Sequence, residues 1–153
     1  SRIIQITRAD ENNLAAINSV VRRAVMNWPM APRMKRRAVT ILQYDRIDMQ
    51  NYVYYRYSSG RTIMGAIAID FESCGSDALL HGIYVEPEAQ SQGVGGTLLR
   101  FAERQARSRD HKGMMLKAER VSCGFFERCG YVHQAPITPN DYPYLYRKDL
   151  TLA

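Results

Sequence analysis

The sequence has no long apolar run and no signal-peptide core. No stretch approaches the roughly 18 apolar residues that a helix needs to cross a bilayer, and charged side chains occur at positions 8, 10 and 11. A length of 153 residues, with 46% hydrophobic and 24% charged residues, fits one globular domain over residues 1–153. We therefore expect a cytoplasmic protein that does not enter a membrane.

Cysteine and histidine are scarce, which argues against two common ways of stabilising a small domain. The three cysteines are odd in number and form no C-x-x-C pair, so that neither a disulfide framework nor a zinc site is indicated. The three histidines, His81, His111 and His133, lie far apart and have no metal-ligand spacing. We expect no bound metal ion.

The net charge of +6 is unevenly distributed along the chain. Residues 1–50 carry nine basic and four acidic side chains, residues 51–99 carry two and five, and residues 100–153 carry ten and six. The basic run Arg33–Arg37 indicates a solvated helix start, with nucleic-acid binding as the alternative. The acidic middle would suit a cationic ligand.

Hydrophobic spacing predicts a mixed α/β chain in the order β-α-α-β-β-β-α-β-α-β-β. The predicted strands are residues 3–7, 52–57, 62–71, 78–85, 114–118, 131–133 and 144–150. The predicted helices cover about residues 14–25, 33–42, 95–108 and 122–129. The first helix should end at Trp28, because a proline follows it.

Alternation along the strands and helical spacing also assign side chains to faces. One predicted face consists of Ile63, Gly65, Ile67, Ile69 and Phe71. Another consists of Leu79, His81, Ile83 and Val85. Tyr52 and Tyr54 should lie opposite Tyr55 and Tyr57, and either set could line an acceptor pocket or simply pack in the sheet. Glu103 and Arg107 have the i,i+4 spacing of an exposed ion pair.

The most informative segment is a strand that runs into a glycine-rich turn and then into an apolar helix. It contains Ile83-Tyr84-Val85-Glu86-Pro87 and, two residues later, Gln90-Ser91-Gln92-Gly93-Val94-Gly95-Gly96-Thr97-Leu98-Leu99. Backbone N–H groups at a helix start have no intrahelical partner, and glycines allow a ligand to approach closely. Together with the helix dipole, this predicts an anion site suited to phosphates.

Two well-known phosphate loops do not fit this segment. A Walker A loop needs Gly-Lys-Ser/Thr, and no lysine occurs between Lys35 and Lys112. The dinucleotide fingerprint needs a third glycine where Leu98 stands. An ordinary glycine turn is the other interpretation of an isolated Q-x-x-G-x-G.

At this point the sequence resembles the GNAT superfamily of acyl-CoA-dependent N-acetyltransferases. The family signature is Q/R-x-x-G-x-G/A between an apolar-aromatic-Val strand end and a Leu-Leu helix, and Gln90, Gly93 and Gly95 stand at its positions. A second block, Phe125-Phe126-Glu127-Arg128-Cys129-Gly130-Tyr131, resembles the family's Phe-Tyr-Glu-Lys/Arg-x-Gly-Phe. The resemblance covers roughly residues 3–150 and is firm over 79–131. It implies a mixed, mostly antiparallel central sheet, flanked by helices and splayed at an acyl-CoA slot.

The resemblance implies that acetyl-CoA binds in this slot as the acyl donor. Its pyrophosphate would rest on main-chain amides of about Gln92 to Thr97, and its pantetheine arm would pair with the backbone of Ile83 and Val85. The residues implied in binding are Ile83, Tyr84, Val85, Gln90, Ser91, Gln92, Gly93, Val94, Gly95, Gly96, Thr97, Phe125, Phe126 and Arg128. Core packing is the alternative role of Phe125, and solvation that of Arg128.

His81 is the candidate catalytic base. An amine attacks a thioester only as the free base, and most amines are protonated near neutral pH, so that a base must take up a proton. Histidine has an ordinary pKa near working pH, and the resemblance implies the same role, because a relative in the family carries such a histidine here. A histidine hydrogen-bonded within the sheet is the alternative, and Glu86 and Asp70 are the alternative bases.

Phe126 departs from the family pattern. The family often has a tyrosine at this position that protonates the leaving thiolate, and phenylalanine has no hydroxyl. Tyr142, Tyr144 and Tyr146 offer hydroxyl groups near the end of the chain, but the sequence selects none of them as the acid.

Three function classes remain open. The first is an N-acetyltransferase that acts on a small-molecule or peptide amine by direct transfer in a ternary complex. The second is an acyl-CoA-binding module that has lost catalysis, which Phe126 permits. The third, a basic nucleic-acid-binding domain, is disfavoured. Because members of the family often pair through edge strands, a homodimer also stays open.

Overall fold

A seven-stranded sheet with helices on both faces organises the chain in the computed structural model, which describes residues 3–152. Residues 1, 2 and 153, the ends of the expected domain, lie outside the described residues. The strands are β1 (Ile4–Arg8), β2 (Val53–Ser59), β3 (Thr62–Asp70), β4 (Asp77–Val85), β5 (Gly113–Lys117), β6 (Val132–His133) and β7 (Leu145–Asp149). The helices are α1 (Leu14–Met26), α2 (Pro32–Leu42), α3 (Arg46–Asn51), α4 (Val94–Ser108) and α5 (Cys123–Arg128).

The strand order across the sheet is β1-β2-β3-β4-β5-β7-β6. Only the central pair β4 and β5 is parallel among the described strands, and the other neighbours are antiparallel. Helix α4 connects the parallel pair, as a parallel crossover requires. The expected mixed, mostly antiparallel sheet flanked by helices is therefore confirmed.

The two faces of the sheet carry separate hydrophobic cores. On one face α4 packs against β3 and β4, and the fully buried side chains there include Ile67, Ile69, Leu98 and Leu99. On the other face α1 packs against the same strands with Ile17, Val20, Val21 and Val25. Both helices show the apolar spacing that the sequence predicted, and Tyr54 and Tyr55 lie on opposite faces as expected.

Helix α3 was not predicted, although its start carries a local signal. The side chain of Asp45 accepts from the Asp48 amide at 2.8 Å, and the Asp48 carboxylate accepts from the Asp45 amide at 2.8 Å. This reciprocal cap stabilises the first turn of a six-residue helix. No helix among residues 3–152 is long and apolar enough to cross a membrane.

Two assignments of side chains, one on β3 and one on α4, were wrong. Ile63 packs on the α1 face, because the register of β2 and β3 shifts beside Met64 and reverses the alternation there. Glu103 is not exposed: only 2% of its surface is accessible, and its carboxylate accepts hydrogen bonds from Tyr131 and Lys148 at 2.8 and 3.1 Å. A charged residue is stable in this position because it is paired on the inner side of α4.

Candidate active site

The parallel strands β4 and β5 separate halfway along β4. Their pairing begins at Asp77 and ends at Leu80. One extra residue, His81, forms a β-bulge there, because Ile69 of β3 pairs with Leu80 and the residue before Ile69 pairs with Gly82. A bulge bends a strand and increases its twist. The second half of β4 therefore diverges from β5 and leaves a slot.

The glycine loop lies beside this slot. A 3-10 turn, Pro87–Gln92, leads from β4 to Gly93, whose φ of +75° lies in the left-handed region that glycine adopts readily. Helix α4 begins at Val94, and no side chain caps its first turn. The first amides of a fifteen-residue helix are thus left for a ligand, in the positive potential of its dipole. This helix end can hold an anion.

A cavity of about 440 Å³ fills the slot between β4, the glycine loop and α5. Its size is that of a typical site for a small molecule or cofactor. The predicted cofactor-binding residues that line it are Ile83, Tyr84, Val85, Gln90, Gly93, Gly95, Gly96, Phe125, Phe126 and Arg128. Two stretches that are far apart in sequence therefore form one concave surface.

The other four predicted residues lie beside the cavity rather than in its lining. Ser91 and Gln92 are exposed, and Thr97 is half-buried. The side chain of Val94 is 1% exposed and packs into the core under α4. What this segment can offer an anion is therefore its main-chain amides rather than these side chains.

One wall of the cavity was missed by the sequence analysis. Asn27, Trp28 and Pro29, at the end of α1 and in the loop after it, line the cavity together with Ala24. The sequence marked Trp28 and Pro29 only as the end of a helix. A single tryptophan before a proline has no spacing that would connect it with a strand much later in the chain.

His81 lies at a second cavity of about 70 Å³, which adjoins the first. Trp28, Tyr84 and Ser122 line both cavities, so that the two form one connected site. The predicted common face of His81 and Ile83 was wrong. Ile83 packs toward α4, whereas His81 lies beside the rings of the α1 face. The bulge at His81 interrupts the alternation that the prediction used.

Two tyrosines surround the His81 imidazole. The ring of Tyr52 stacks on it with centroids 4.2 Å apart, and the ring of Tyr44 lies at 5.6 Å. Nδ1 of His81 is 3.4 Å from the Tyr44 hydroxyl oxygen. Burial lowers the pKa of His81, and the carboxylates of Asp48 and Asp70 partly oppose this shift. The ring is therefore neutral near pH 7 and can accept a proton.

The two alternative bases have internal partners. Nε of Arg23 donates to both carboxylate oxygens of Glu86 at 2.9 Å, and a second guanidinium nitrogen also contacts this carboxylate. Asp70 accepts from the amides of Glu72 and Ser73 at 2.8 and 3.0 Å and from the Ser73 hydroxyl. Burial raises the pKa of Asp70, but these hydrogen bonds lower it overall. Both carboxylates are held in structural contacts.

The tyrosines near the end of the chain do not supply a hydroxyl to the cavities. Tyr142 donates to the carbonyl of Ala118 at 2.6 Å, and Tyr146 donates to Oε2 of Glu127 at 2.7 Å. Phe126 is 4% exposed and lines both cavities. The described part of the chain therefore places no tyrosine hydroxyl where the family has one on α5.

The remaining histidines and the cysteines do not converge on the site. The ring of His111 stacks on Phe71 at 5.7 Å, and His133 lies 5.4 Å from the ring of Tyr146. The three cysteines are free and partly buried. Within residues 3–152, no three His, Cys, Asp or Glu side chains come together in a way that could hold a metal ion.

Known structures share this arrangement of strands and helices. PaiA N-acetyltransferase from Thermoplasma acidophilum, in complex with coenzyme A, is 16% identical over 96% of this chain and 99% of that chain, with a TM-score of 0.82. A GNAT family acetyltransferase from Brucella melitensis, in complex with acetyl-CoA, is 18% identical over 97% and 89%, with a TM-score of 0.70. The ribosomal-protein-S18-alanine N-acetyltransferase from Escherichia coli is 16% identical over 99% and 96%, with a TM-score of 0.67.

At these identities the likeness is one of fold. A comparison with curated protein sequences gave no match. The sequence itself matches the acetyltransferase (GNAT) family over residues 21–131. This match covers most of the chain and includes the bulged strand, the glycine loop and α5. The chain therefore belongs to the GNAT family of acetyltransferases.

Proposed function

We propose that this protein is an N-acetyltransferase with one catalytic domain over residues 1–153, which transfers an acetyl group from acetyl-CoA directly to an amine in a ternary complex. The observation that carries the proposal is the slot between β4 and β5, with an uncapped helix end at one side and the imidazole of His81 in the adjoining cavity. The coenzyme complexes of the Thermoplasma and Brucella proteins support the donor. The alanine named for the Escherichia coli protein supports an amine acceptor.

The donor would occupy the larger cavity. Amides of Gln92 to Thr97 would hold its pyrophosphate, because the start of α4 combines free N–H groups with the helix dipole. Backbone groups of Ile83 and Val85 would pair with its pantetheine arm, since this part of β4 has lost β5 as a neighbour. Phe125 and Arg128 line the opposite wall. Acetyl-CoA supplies an activated thioester, and the protein supplies its position.

The acceptor amine, from a small molecule or a peptide, would enter through the smaller cavity at His81. The two cavities share Trp28, Tyr84 and Ser122, so that both substrates can lie side by side. Such placement contributes to the rate through proximity. The described residues thus support direct transfer without a covalent enzyme intermediate.

His81 would act as the general base. Its lowered pKa keeps it neutral at pH 7, and general bases contribute about 100- to 10,000-fold to rate. Since only the neutral ring accepts a proton, kcat/KM should fall as pH drops through an apparent pKa below 6.5, the ordinary value.

The test is a panel of primary amines, small and peptidic, with detection of free thiol released from acetyl-CoA. We expect thiol release that depends on the amine, and a loss of about 100-fold or more in kcat for His81→Gln. The matched control is His111→Gln, whose histidine stacks on Phe71 away from the cavities. A His81→Gln enzyme with normal kcat and an unchanged pH profile would contradict the assignment of the base.

One observation favours an alternative, an acyl-CoA-binding module without catalysis. Phe126 occupies the place where the family often has a tyrosine that acts as an acid, and the hydroxyls of Tyr142 and Tyr146 are bound elsewhere. A thiol is nevertheless a good leaving group, so that transfer without a tyrosine is chemically feasible. Thermal stabilisation by acetyl-CoA together with no turnover on the whole amine panel would favour the module.

A further inference from the structure

Tyr44 touches the proposed base although it belongs to neither strand of the slot. It lies in the short connection between α2 and α3, and its side chain is buried, with 6% of its surface exposed. Its hydroxyl oxygen is 3.4 Å from Nδ1 of His81. Within residues 3–152 this is the only hydrogen bond of the His81 ring, so that Nε2 is left for a substrate.

The backbone of Tyr44 is held in place by α1. The side-chain amide of Asn18 donates to the carbonyl of Tyr44 at 2.8 Å, and the amide of Tyr44 donates to Oδ1 of Asn18 at 2.9 Å. The ring packs edge-on against Tyr54 at 5.0 Å and Tyr84 at 6.3 Å. These contacts leave the hydroxyl little freedom to move away from the bulge in β4.

The bulge itself has a residue that admits the Tyr44 hydroxyl. A Cβ atom at Gly82 would overlap this hydroxyl and would lie 2.8 Å from a ring carbon of Tyr84. Because Gly82 has no side chain, the Tyr44 hydroxyl has room beside β4 to contact His81. Three separate segments, α1, the α2–α3 connection and β4, converge on one contact.

We propose that Tyr44 is a positioning residue that keeps the proton of neutral His81 on Nδ1, so that the lone pair of Nε2 is available to the acceptor amine. The proposal rests on the proposed function of His81. In the transfer, the amine nitrogen bonds to the acetyl carbon, the C–S bond breaks, and coenzyme A leaves as a thiolate. The amine N–H bond breaks, an Nε2–H bond forms, and the imidazolium then gives this proton to the thiolate or to water. Throughout, the Nδ1–H group donates to the Tyr44 oxygen.

The proposed role of His81 gives the direction of this hydrogen bond. Nε2 can accept a proton from the amine only when the ring proton is on Nδ1. The Tyr44 oxygen is the hydrogen-bond partner of Nδ1 among the described residues, so that it is the acceptor. Burial raises the pKa of Tyr44 well above the ordinary value, so that the hydroxyl stays neutral.

Charged groups reach the imidazole from three other elements. Asp48 of α3 and Asp70 of β3 favour the imidazolium, and Lys117 and Glu119, which follow one another closely at the end of β5, line the same small cavity. A change at Tyr44 removes none of these charges. Its effect on His81 can therefore be separated from theirs.

The first test is NMR of the histidine ring nitrogens in the full chain without substrates, with the His81 signals identified by their loss in His81→Gln. In the native protein we expect the Nδ1–H tautomer. In Tyr44→Phe we expect a shift toward the Nε2–H tautomer. The pKa of His81 should also fall by about half a unit to one unit. The Tyr44 oxygen stabilises the charged imidazolium more than the neutral ring, and this stabilisation is lost in the variant.

The second test is the pH profile of amine acetylation. Tyr44→Phe should lower kcat about 10-fold, as changes in residues that orient a functional histidine do. It should also move the acidic limb of kcat/KM to lower pH and leave the KM for acetyl-CoA unchanged. The matched control is Tyr54→Phe, which removes a neighbouring buried hydroxyl that does not contact His81, and its profile should equal that of the native enzyme.

The outcomes separate this proposal from the function on which it rests. Absence of amine-dependent thiol release in the native protein contradicts the proposed function, and the NMR experiment still tests the tautomer. An active native enzyme whose Tyr44→Phe variant keeps the same tautomer, kcat and pH profile overturns the positioning role. An Nε2–H tautomer in the native protein overturns it without any variant.

Discussion

At the scale of single residues, tyrosine hydroxyls that look alike in sequence have different partners. The Tyr44 hydroxyl contacts His81, and the Tyr131 hydroxyl donates to the buried carboxylate of Glu103 at 2.8 Å. The hydroxyl of Tyr54 is buried and has no hydrogen-bond partner among the described residues. A buried polar atom without a partner loses its hydration and gains nothing in return.

Tyr54→Phe should therefore stabilise the protein slightly. Removing the unpartnered hydroxyl relieves a desolvation cost, and we expect the free energy of unfolding to rise by up to about 1 kcal/mol. Urea unfolding, followed by circular dichroism at pH 7, measures this change. The ring itself stays in place against Tyr44.

The matched control is Tyr131→Phe, which removes a buried hydroxyl that does have a partner. Tyr131→Phe leaves the buried Glu103 carboxylate without one of its hydrogen-bond donors. The variant should therefore lower the free energy of unfolding by about 1–3 kcal/mol. Equal losses in the two variants would mean that Tyr54 has a hydrogen-bond partner after all.

At the scale of elements, one extra residue in β4 decides what the sheet can bind. Because side chains alternate along a strand, a single inserted residue moves all following side chains to the other face. The bulge at His81 therefore puts His81 and Ile83 on opposite faces: His81 lies beside the rings of Tyr44 and Tyr52 toward α1, while Ile83 faces α4. The same residue separates β4 from β5.

Helix α1 is joined to the end of β4 by an ion pair, and Arg23→Ala tests its strength. The Glu86 side chain is 6% exposed and the Arg23 side chain 57%. Removing Arg23 leaves a buried carboxylate without its cation. We expect a loss of about 2 kcal/mol in the free energy of unfolding, less than for a fully buried pair because water screens the arginine.

Arg22→Ala is the control for this variant. Arg22 is the exposed neighbour of Arg23 on the same helix, and its removal changes the net charge equally. Surface changes of this kind stay within about 0.5 kcal/mol. If both variants lost the same amount in denaturant unfolding, the loss would reflect charge or helix propensity, and the ion pair would contribute nothing.

At the scale of the whole molecule, the structure shows which charged residues form internal contacts and which are exposed to solvent. Of the acidic residues in 51–99, Asp77 pairs with Arg147, Glu86 pairs with Arg23, and Asp70 binds its own turn. Three of the five acidic residues in this stretch are therefore used in internal contacts. The basic side chains at 33, 36 and 37 are exposed on α2, which has no buried residue, as on a solvated helix face.

Acetyl-CoA should stabilise the whole fold, because its proposed slot is formed by α1, β4, α4 and α5 together. At a concentration of about 100 Kd, a ligand specific for the folded state adds about 2.7 kcal/mol to the free energy of unfolding. Thermal unfolding with and without acetyl-CoA measures the increment. Acetylpantetheine, which lacks the phosphates, should give a much smaller one.

Two glycine variants locate this effect. Gly93 and Gly75 have φ values of +75° and +61°, and a Cβ would meet no atom within 4 Å at either. Alanine at either position should cost about 1–2 kcal/mol of strain. Only Gly93→Ala should also reduce the increment from acetyl-CoA. An equal increment in both variants would exclude the glycine loop from ligand binding.

Local patterns in the sequence were sufficient for the family and for the described strands and α-helices other than α3. The apolar spacing of α1 and α4 and the order of the strands depend on neighbouring residues, as does the glycine turn before an uncapped helix. Each of these signals comes from residues that are close together in the sequence. Ten of the fourteen residues predicted to bind the donor line the cavity for the same reason, because they belong to two short continuous segments.

Only the tertiary structure decided what surrounds His81. The separation of His81 and Ile83 onto opposite faces depends on a bulge that exists only in the pairing with β3. The contacts of Trp28 with the cavity and of Tyr44 with His81 join segments that are distant in sequence. The burial of Glu103 depends on Tyr131 and Lys148. Register, packing and pairing across such distances leave no periodic trace in the chain, which is why these features appeared only in the fold.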